Sequence, residues 1–174
     1  VMRELQQPIL TNTPVVVADG ITATWIEAGH MVGSGSIKIE VTENGKKKTV
    51  VFSGDLGPLT LPFLKPFEHF DNADLVFLES TYGDRDHKPY SETIEEFEHI
   101  VRDVCASGGK MLVPSFAIGR AQQIIYHLAD LFNSNRIPAF PVYLDSPMAL
   151  SAFTTYKKHQ DMFDDEYQEL KRRG

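Results

Sequence analysis

The chain has 174 residues, 42% hydrophobic and 24% charged, a balance that excludes a disordered polar chain and fits a globular one. Its net charge of −7 excludes a generic electrostatic footprint for nucleic acid, which needs excess Lys and Arg; such a role must rest on a local site where bound metal reverses the field. A single cysteine, Cys105, excludes an internal disulfide framework, and no apolar run nears the ~20 residues that span a bilayer.

The start, with its acid and glutamines, does not resemble a secretory signal, so a cytoplasmic location is the expectation. Residues 15–78 then read as short strands. Val15-Val16-Val17 and residues 21–28 are β-rich and separated by the turn signal Asp19-Gly20. Ile37, Ile39 and Val41 alternate with polar residues, which predicts a strand with one buried face. Asn44-Gly45 follows, the favoured two-residue hairpin turn, and residues 49–53 return. A loop with Pro58, Pro62 and Pro66 leads to the apolar strand Leu75-Val76-Phe77-Leu78.

From Ser91 the pattern alternates helix and strand. Ile94, Phe97, Val101 and Val104 recur at helical spacing, with Thr93 and Glu96 as a capping box, Glu92 and Glu95 as early acids, and Gly108-Gly109 as the stop. Met111-Leu112-Val113 is expected as a short buried strand closed by Pro114. A second helix carries Ala121, Ile124, Ile125, Leu128 and Leu131 and ends by residues 133–135. Residues 141–144 are expected as another strand, and Ser146-Pro147 as the N-cap and first residue of a third helix. The charged tail from Asp161 reads as a helix or a frayed end. Strand–helix alternation predicts an α/β protein with a parallel sheet covered by helices.

Two short motifs sit at strand ends. Ala28-Gly29-His30 runs into the small-residue stretch Gly33-Ser34-Gly35-Ser36, and Ser53-Gly54-Asp55 closes the hairpin. Each offers one metal-compatible side chain beside glycines that permit close approach. The same residues also read as a hydrogen-bonded core histidine and a turn acid. Leu75 to Leu78 leads into Glu79-Ser80-Thr81-Tyr82-Gly83-Asp84-Arg85, which puts a third acid at a strand mouth; Glu79 serves equally as a metal-site or acid–base element or as a capping acid.

In this order and spacing the motifs resemble the β-CASP branch of the metallo-β-lactamase superfamily. The resemblance rests on Ala28-Gly29-His30-Met31-Val32-Gly33-Ser34, Phe52-Ser53-Gly54-Asp55-Leu56-Gly57 and Glu79-Ser80-Thr81-Tyr82-Gly83-Asp84-Arg85. It continues through Val113-Pro114-Ser115-Phe116-Ala117-Ile118-Gly119-Arg120-Ala121-Gln122 and Asp145-Ser146-Pro147-Met148-Ala149. It implies part of a metallo-β-lactamase (αββα) fold over residues 1–87, followed by part of a β-CASP domain with a parallel sheet flanked by helices over residues 88–174. It also implies that His30 binds one zinc ion, that Asp55 bridges two, and that Glu79 orients a histidine or supports proton transfer. The Glu-Ser-Thr-Tyr-Gly form resembles the RNA-processing members, such as the mRNA 3′-end endonuclease and its bacterial relatives. Single-stranded RNA is then the implied substrate, hydrolysed by water activated between two zinc ions, with a homodimer as a further expectation.

The family's His-x-His-x-Asp-His signature and its two later histidine motifs are not in the sequence, and His69, His87, His99, His127 and His159 match none of them. The expectation is therefore a fragment with two metal ligands, inactive alone. Arg120, at a helix start, and Ser115 before it are candidate phosphate contacts; an ordinary surface ion pair is the other reading of Arg120. A DNA nuclease of the same family, a small-ester hydrolase and a non-catalytic scaffold are the competing functions. The insert from Ser91 to Tyr156 argues against the ester hydrolase, and His30, Asp55 and Glu79 together argue against the scaffold.

Overall fold

The computed structural model describes residues 6–58, 64–163, 167 and 172. The chain divides into two compact units, one of Val1–Thr60 and Pro66–Thr81, the other of Leu61–Lys65 and Tyr82–Gly174.

The first unit is a five-stranded sheet in the order β1-β2-β3-β4-β5. Its strands are β1 (Val15–Ala18), β2 (Ile21–Glu27), β3 (Gly35–Glu43), β4 (Lys46–Phe52) and β5 (Leu75–Phe77). The first four pair antiparallel in chain order, while β5 joins β4 in parallel, with Val51 opposite Val76. Asn44 and Gly45 turn β3 into β4 with φ of 49° and 73°, the doubly positive geometry that matches strand twist in a tight hairpin. The return strand begins at Lys46, three residues earlier than expected, because Glu43, Thr42 and Val41 continue the ladder against Lys46, Lys47 and Lys48.

The expected split of β3 into one buried and one wet face is not found. Lys38 and Glu40 are half-buried like Ile37 and Ile39, because the segment around Phe67–Asn72 lies over their side of the sheet. There the Lys38 ammonium sits 5.5 Å from the Phe70 ring centroid, and Glu40 accepts from Lys47 at 2.5 Å. This neutralises the polar face locally, and Lys47 is the main cause of the lowered Glu40 pKa.

The second unit is helical among the described residues: α1 (Tyr90–Ala106), α2 (Arg120–Asn133), α3 (Pro147–Lys158) and a 3₁₀ turn (Gln160–Met162). Its core is Val101, Leu128, Leu131 and Ile137, with Ile94, Phe97, Cys105, Met111, Ile124 and Phe140 packed around it. Helix α1 ends as the sequence predicts. Gly108 takes φ 65°, and the Gly109 and Gly108 amides donate to Val104 and Cys105 carbonyls at 3.0 and 3.2 Å, a Schellman closure. Asn135, at φ 58°, closes α2 in the same way, with Arg136 N donating to Leu131 O at 2.8 Å. Ser146 caps α3 by accepting from Ala149 N at 3.2 Å, with Pro147 at the first helical position.

The capping box at Thr93 and Glu96 is not formed. Helix α1 begins a turn earlier, after Pro89; Thr93 Oγ1 donates to Pro89 O and Glu96 pairs with Lys88. The early start fits a tertiary contact, the Tyr90 ring lying 5.7 Å from the His127 ring of α2, since packing outweighs local signals at helix ends.

Two predicted strands are also absent. Residues 111–113 and 141–144 have no ladder among the described residues, and Leu112 is 90% exposed and Tyr143 88%. A strand exists only through a partner, and none is paired to these apolar segments here. The tail prediction falls mostly outside the described residues.

His127 is half-buried between Tyr90 and Tyr126, and burial lowers its pKa from the ordinary 6.5. The unfolded chain therefore binds more protons once pH drops below about 6.5, and the stability held by the neutral ring is full above that value and lost on acidification. We expect the urea midpoint to fall between pH 7.5 and 5.5, and to fall less in His127→Asn. Equal losses in both proteins would refute this.

Candidate metal-binding loops at the ends of three strands

The three motifs converge at one end of the sheet because β2, β4 and β5 each deliver their last residue there. After β2, Gly29 turns the chain at φ 65°, and the Glu27 carboxylate accepts its amide at 2.8 Å. Ser34 Oγ then accepts the amides of His30 and Met31 at 3.1 and 3.2 Å, which fixes the backbone under the imidazole. The second half of the small-residue stretch is strand: Gly35 and Ser36 already pair with Glu27 and Ile26.

After β4, Ser36 Oγ donates to Ser53 O at 2.7 Å and Gly54 turns at φ 60°. Gly57 then presses against the first loop. Its amide donates to Ala28 O at 2.7 Å, and a Cβ placed on it would lie 1.8 Å from Gly29 O and 2.8 Å from His30 N. The absence of a side chain at position 57 is what lets the His30 and Asp55 loops touch backbone to backbone. Both His30 and Asp55 are exposed, and among the described residues neither the ring nor the carboxylate has a hydrogen-bond or salt-bridge partner.

Glu79 follows β5 and binds this arrangement together. Its amide donates to Ser53 Oγ at 2.9 Å. Its Oε1 accepts Leu56 N at 2.9 Å, and its Oε2 accepts Thr81 Oγ1 at 2.7 Å. The Thr81 hydroxyl, the Leu56 amide and nearby His30 hold the carboxyl below the usual range, so it is ionised at neutral pH. With both oxygens engaged, Glu79 grips the peptide after Asp55 and has little left to offer a metal.

Ser34, Ser53, Gly57 and Thr81 thus hold these loops through hydrogen bonds and close contact that the sequence did not single out. Each lies inside a quoted motif, yet small and hydroxyl residues carry no signal until a partner is known.

Ser115 and Arg120 belong to the second unit. Ser115 is exposed, and Arg120, also exposed, opens α2 after Gly119 at φ 81°. Two amides of that helix start already donate to loop carbonyls, Arg120 N to Ile118 O and Ala121 N to Phe116 O, both at 3.2 Å. Fewer donors than a free helix start remain for an anion. Among the described residues no group of three or more His, Cys, Asp or Glu side chains is gathered that could hold a metal ion. His99 pairs with Asp103 at 3.3 Å along α1, and His87 packs edge-on to Tyr82.

Residues 121–173 match the Beta-Casp domain. A ribonuclease of Thermus thermophilus is 43% identical over 147 residues, which is 82% of this chain and 32% of that protein. An RNase J-like protein of Methanocaldococcus jannaschii is 32% identical over 80% of this chain and 34% of its own length. Cleavage and polyadenylation specificity factor subunit 3 of Dictyostelium discoideum is 30% identical over 84% of this chain and 19% of its own length. The chain spans about a third of the first two relatives and about a fifth of the third. With the Beta-Casp match over residues 121–173 and these ribonuclease and RNase J-like relatives along most of its length, the chain is similar to a section of the β-CASP nucleases.

Proposed function

We propose that this chain is a section of a metal-dependent ribonuclease, in which His30 and Asp55 are two of the ligands of a zinc centre that hydrolyses RNA phosphodiester bonds. The observation that carries the reading is the backbone contact at Gly57, which sets an exposed imidazole and an exposed carboxylate on adjoining loops beside the ionised Glu79. Histidine nitrogen with carboxylate oxygen is a donor set that suits zinc. The relatives' names, ribonuclease and RNase J-like protein, support RNA as substrate.

The donors fit part of a centre, since two side chains supply too few ligands for two ions. A bound divalent metal supplies Lewis acidity toward the phosphate and lowers the pKa of water from ~15.7 to about 7. The chain's own residues do the positioning. Ser34 holds the His30 backbone, Glu79 holds the Asp55–Leu56 peptide, and the Gly57–Ala28 hydrogen bond holds the two loops together. Arg120 is proposed to contact a substrate phosphate through its guanidinium, with Ser115 nearby in sequence. Residues 1–87 are read as metallo-β-lactamase segment and 88–174 as β-CASP segment, acting on single-stranded RNA in the cytoplasm.

The test is cleavage of matched RNA and DNA oligonucleotides by the full-length protein and by the 174-residue chain. We expect the full-length protein to cut RNA, a chelator to stop it, His30→Ala to reduce kcat at least about 100-fold, and the chain alone to be inactive. Preferential cutting of DNA would replace RNA as substrate. Undiminished cutting by His30→Ala would remove the proposed ligand.

A further inference from the structure

Glu79 has two jobs to reconcile, and its neighbours show how. Its Oε1 accepts the amide of Leu56, which belongs to the same peptide plane as the Asp55 carbonyl. Holding that plane restrains the backbone torsion after the Asp55 Cα and so steadies the backbone from which its carboxylate projects. Gly54, at φ 60°, precedes Asp55 and gives the loop no stiffness of its own. One hydrogen bond to Oε1 would still leave the carboxylate free to rotate about its last torsion, a broad and weakly restrained one. Thr81 removes that freedom, because its hydroxyl donates to Oε2 at 2.7 Å and its amide lies 3.4 Å from the same oxygen.

We propose that Thr81 is a positioning residue of the hydrolytic centre: its hydroxyl locks the Glu79 carboxylate so that the opposite oxygen keeps its grip on the Leu56 amide and holds the backbone that carries the Asp55 ligand. The inference rests on the ribonuclease reading above. Ser53 anchors the same acid differently, by accepting its backbone amide, and so sets where Glu79 begins rather than how its carboxylate is turned. Thr81 itself is exposed, so a side chain of equal size without the hydroxyl fits without repacking.

Thr81→Val and Thr81→Ser in the full-length protein separate the hydroxyl from the shape. RNA cleavage kinetics, zinc affinity and hydrogen exchange of the Leu56 amide are measured for each. In Thr81→Val we expect kcat and zinc affinity to drop about 10–100-fold, the range for loss of an outer-shell partner. KM should stay within about twofold, as for loss of a contact not made to substrate, and the Leu56 amide should exchange faster. Thr81→Ser should restore all three. Unchanged kcat and Leu56 exchange in Thr81→Val, or a Thr81→Ser no better than Thr81→Val, overturns the inference while leaving the ribonuclease reading intact. A wild type that cuts no RNA overturns the ribonuclease reading and this inference with it.

Discussion

Gly57→Ala is expected to damage the protein more than any other single-methyl change in the sheet unit. The added Cβ would stand 1.8 Å from Gly29 O and 2.2 Å from its carbonyl carbon. Backbone atoms cannot swing aside as a side chain can, so the two loops must part and the Gly57–Ala28 hydrogen bond must break. Overpacking of this kind costs on the order of 3 kcal/mol or more. Gly45→Ala provides the comparison. Nothing lies within 4 Å of its Cβ, and only its φ of 73° is strained, which costs about 1–2 kcal/mol. Urea unfolding should show a clearly larger loss for Gly57→Ala, and zinc affinity should fall in Gly57→Ala alone. Equal losses, or intact metal affinity, would mean that the loops do not depend on this contact.

Leu131→Ala should be the largest cavity mutation of the helical unit. Leu131 is fully buried and packs with Val101, Leu128 and Ile137. Its truncation removes apolar contact and leaves a void, a loss of about 2–5 kcal/mol. Leu112, 90% exposed, should lose less than about 0.5 kcal/mol on the same change. Chemical denaturation of both variants checks the contrast. A comparable loss at Leu112 would show that residues 111–113 are buried after all.

Local chemistry was legible wherever it needed no distant partner. Asn44-Gly45, Gly108-Gly109, Asn135 and Ser146-Pro147 each specify a turn or a cap through backbone freedom or a side chain three residues away, and all four appear as read. Pairing was less legible. Leu112 and Val142 have strand composition, yet composition does not say which strand lies beside them. Thr93 and Glu96 have capping-box spacing, yet Tyr90 packs on His127 and the helix starts a turn earlier.

The site divides in the same way. The placement of His30, Asp55 and Glu79 just beyond strand ends was readable, because each follows an apolar or alternating run that predicts a strand. The carboxylate clamp on Leu56 was not, because it joins residues 23 apart through a backbone amide that leaves no trace in sequence. Nor was the demand for glycine at position 57, which arises from a loop 28 residues earlier. Under the proposed function, the acidic net charge would leave phosphate recognition to a local centre rather than a basic surface.

The metal content of the full-length protein, measured by elemental analysis beside its His30→Ala and Asp55→Asn variants, decides whether these loops hold a zinc centre. Bound zinc is expected in the wild type and a marked loss of it in both variants, with their folded spectra retained. Zinc retained at the wild-type stoichiometry in both variants, or a folded wild type that binds no metal, would contradict this.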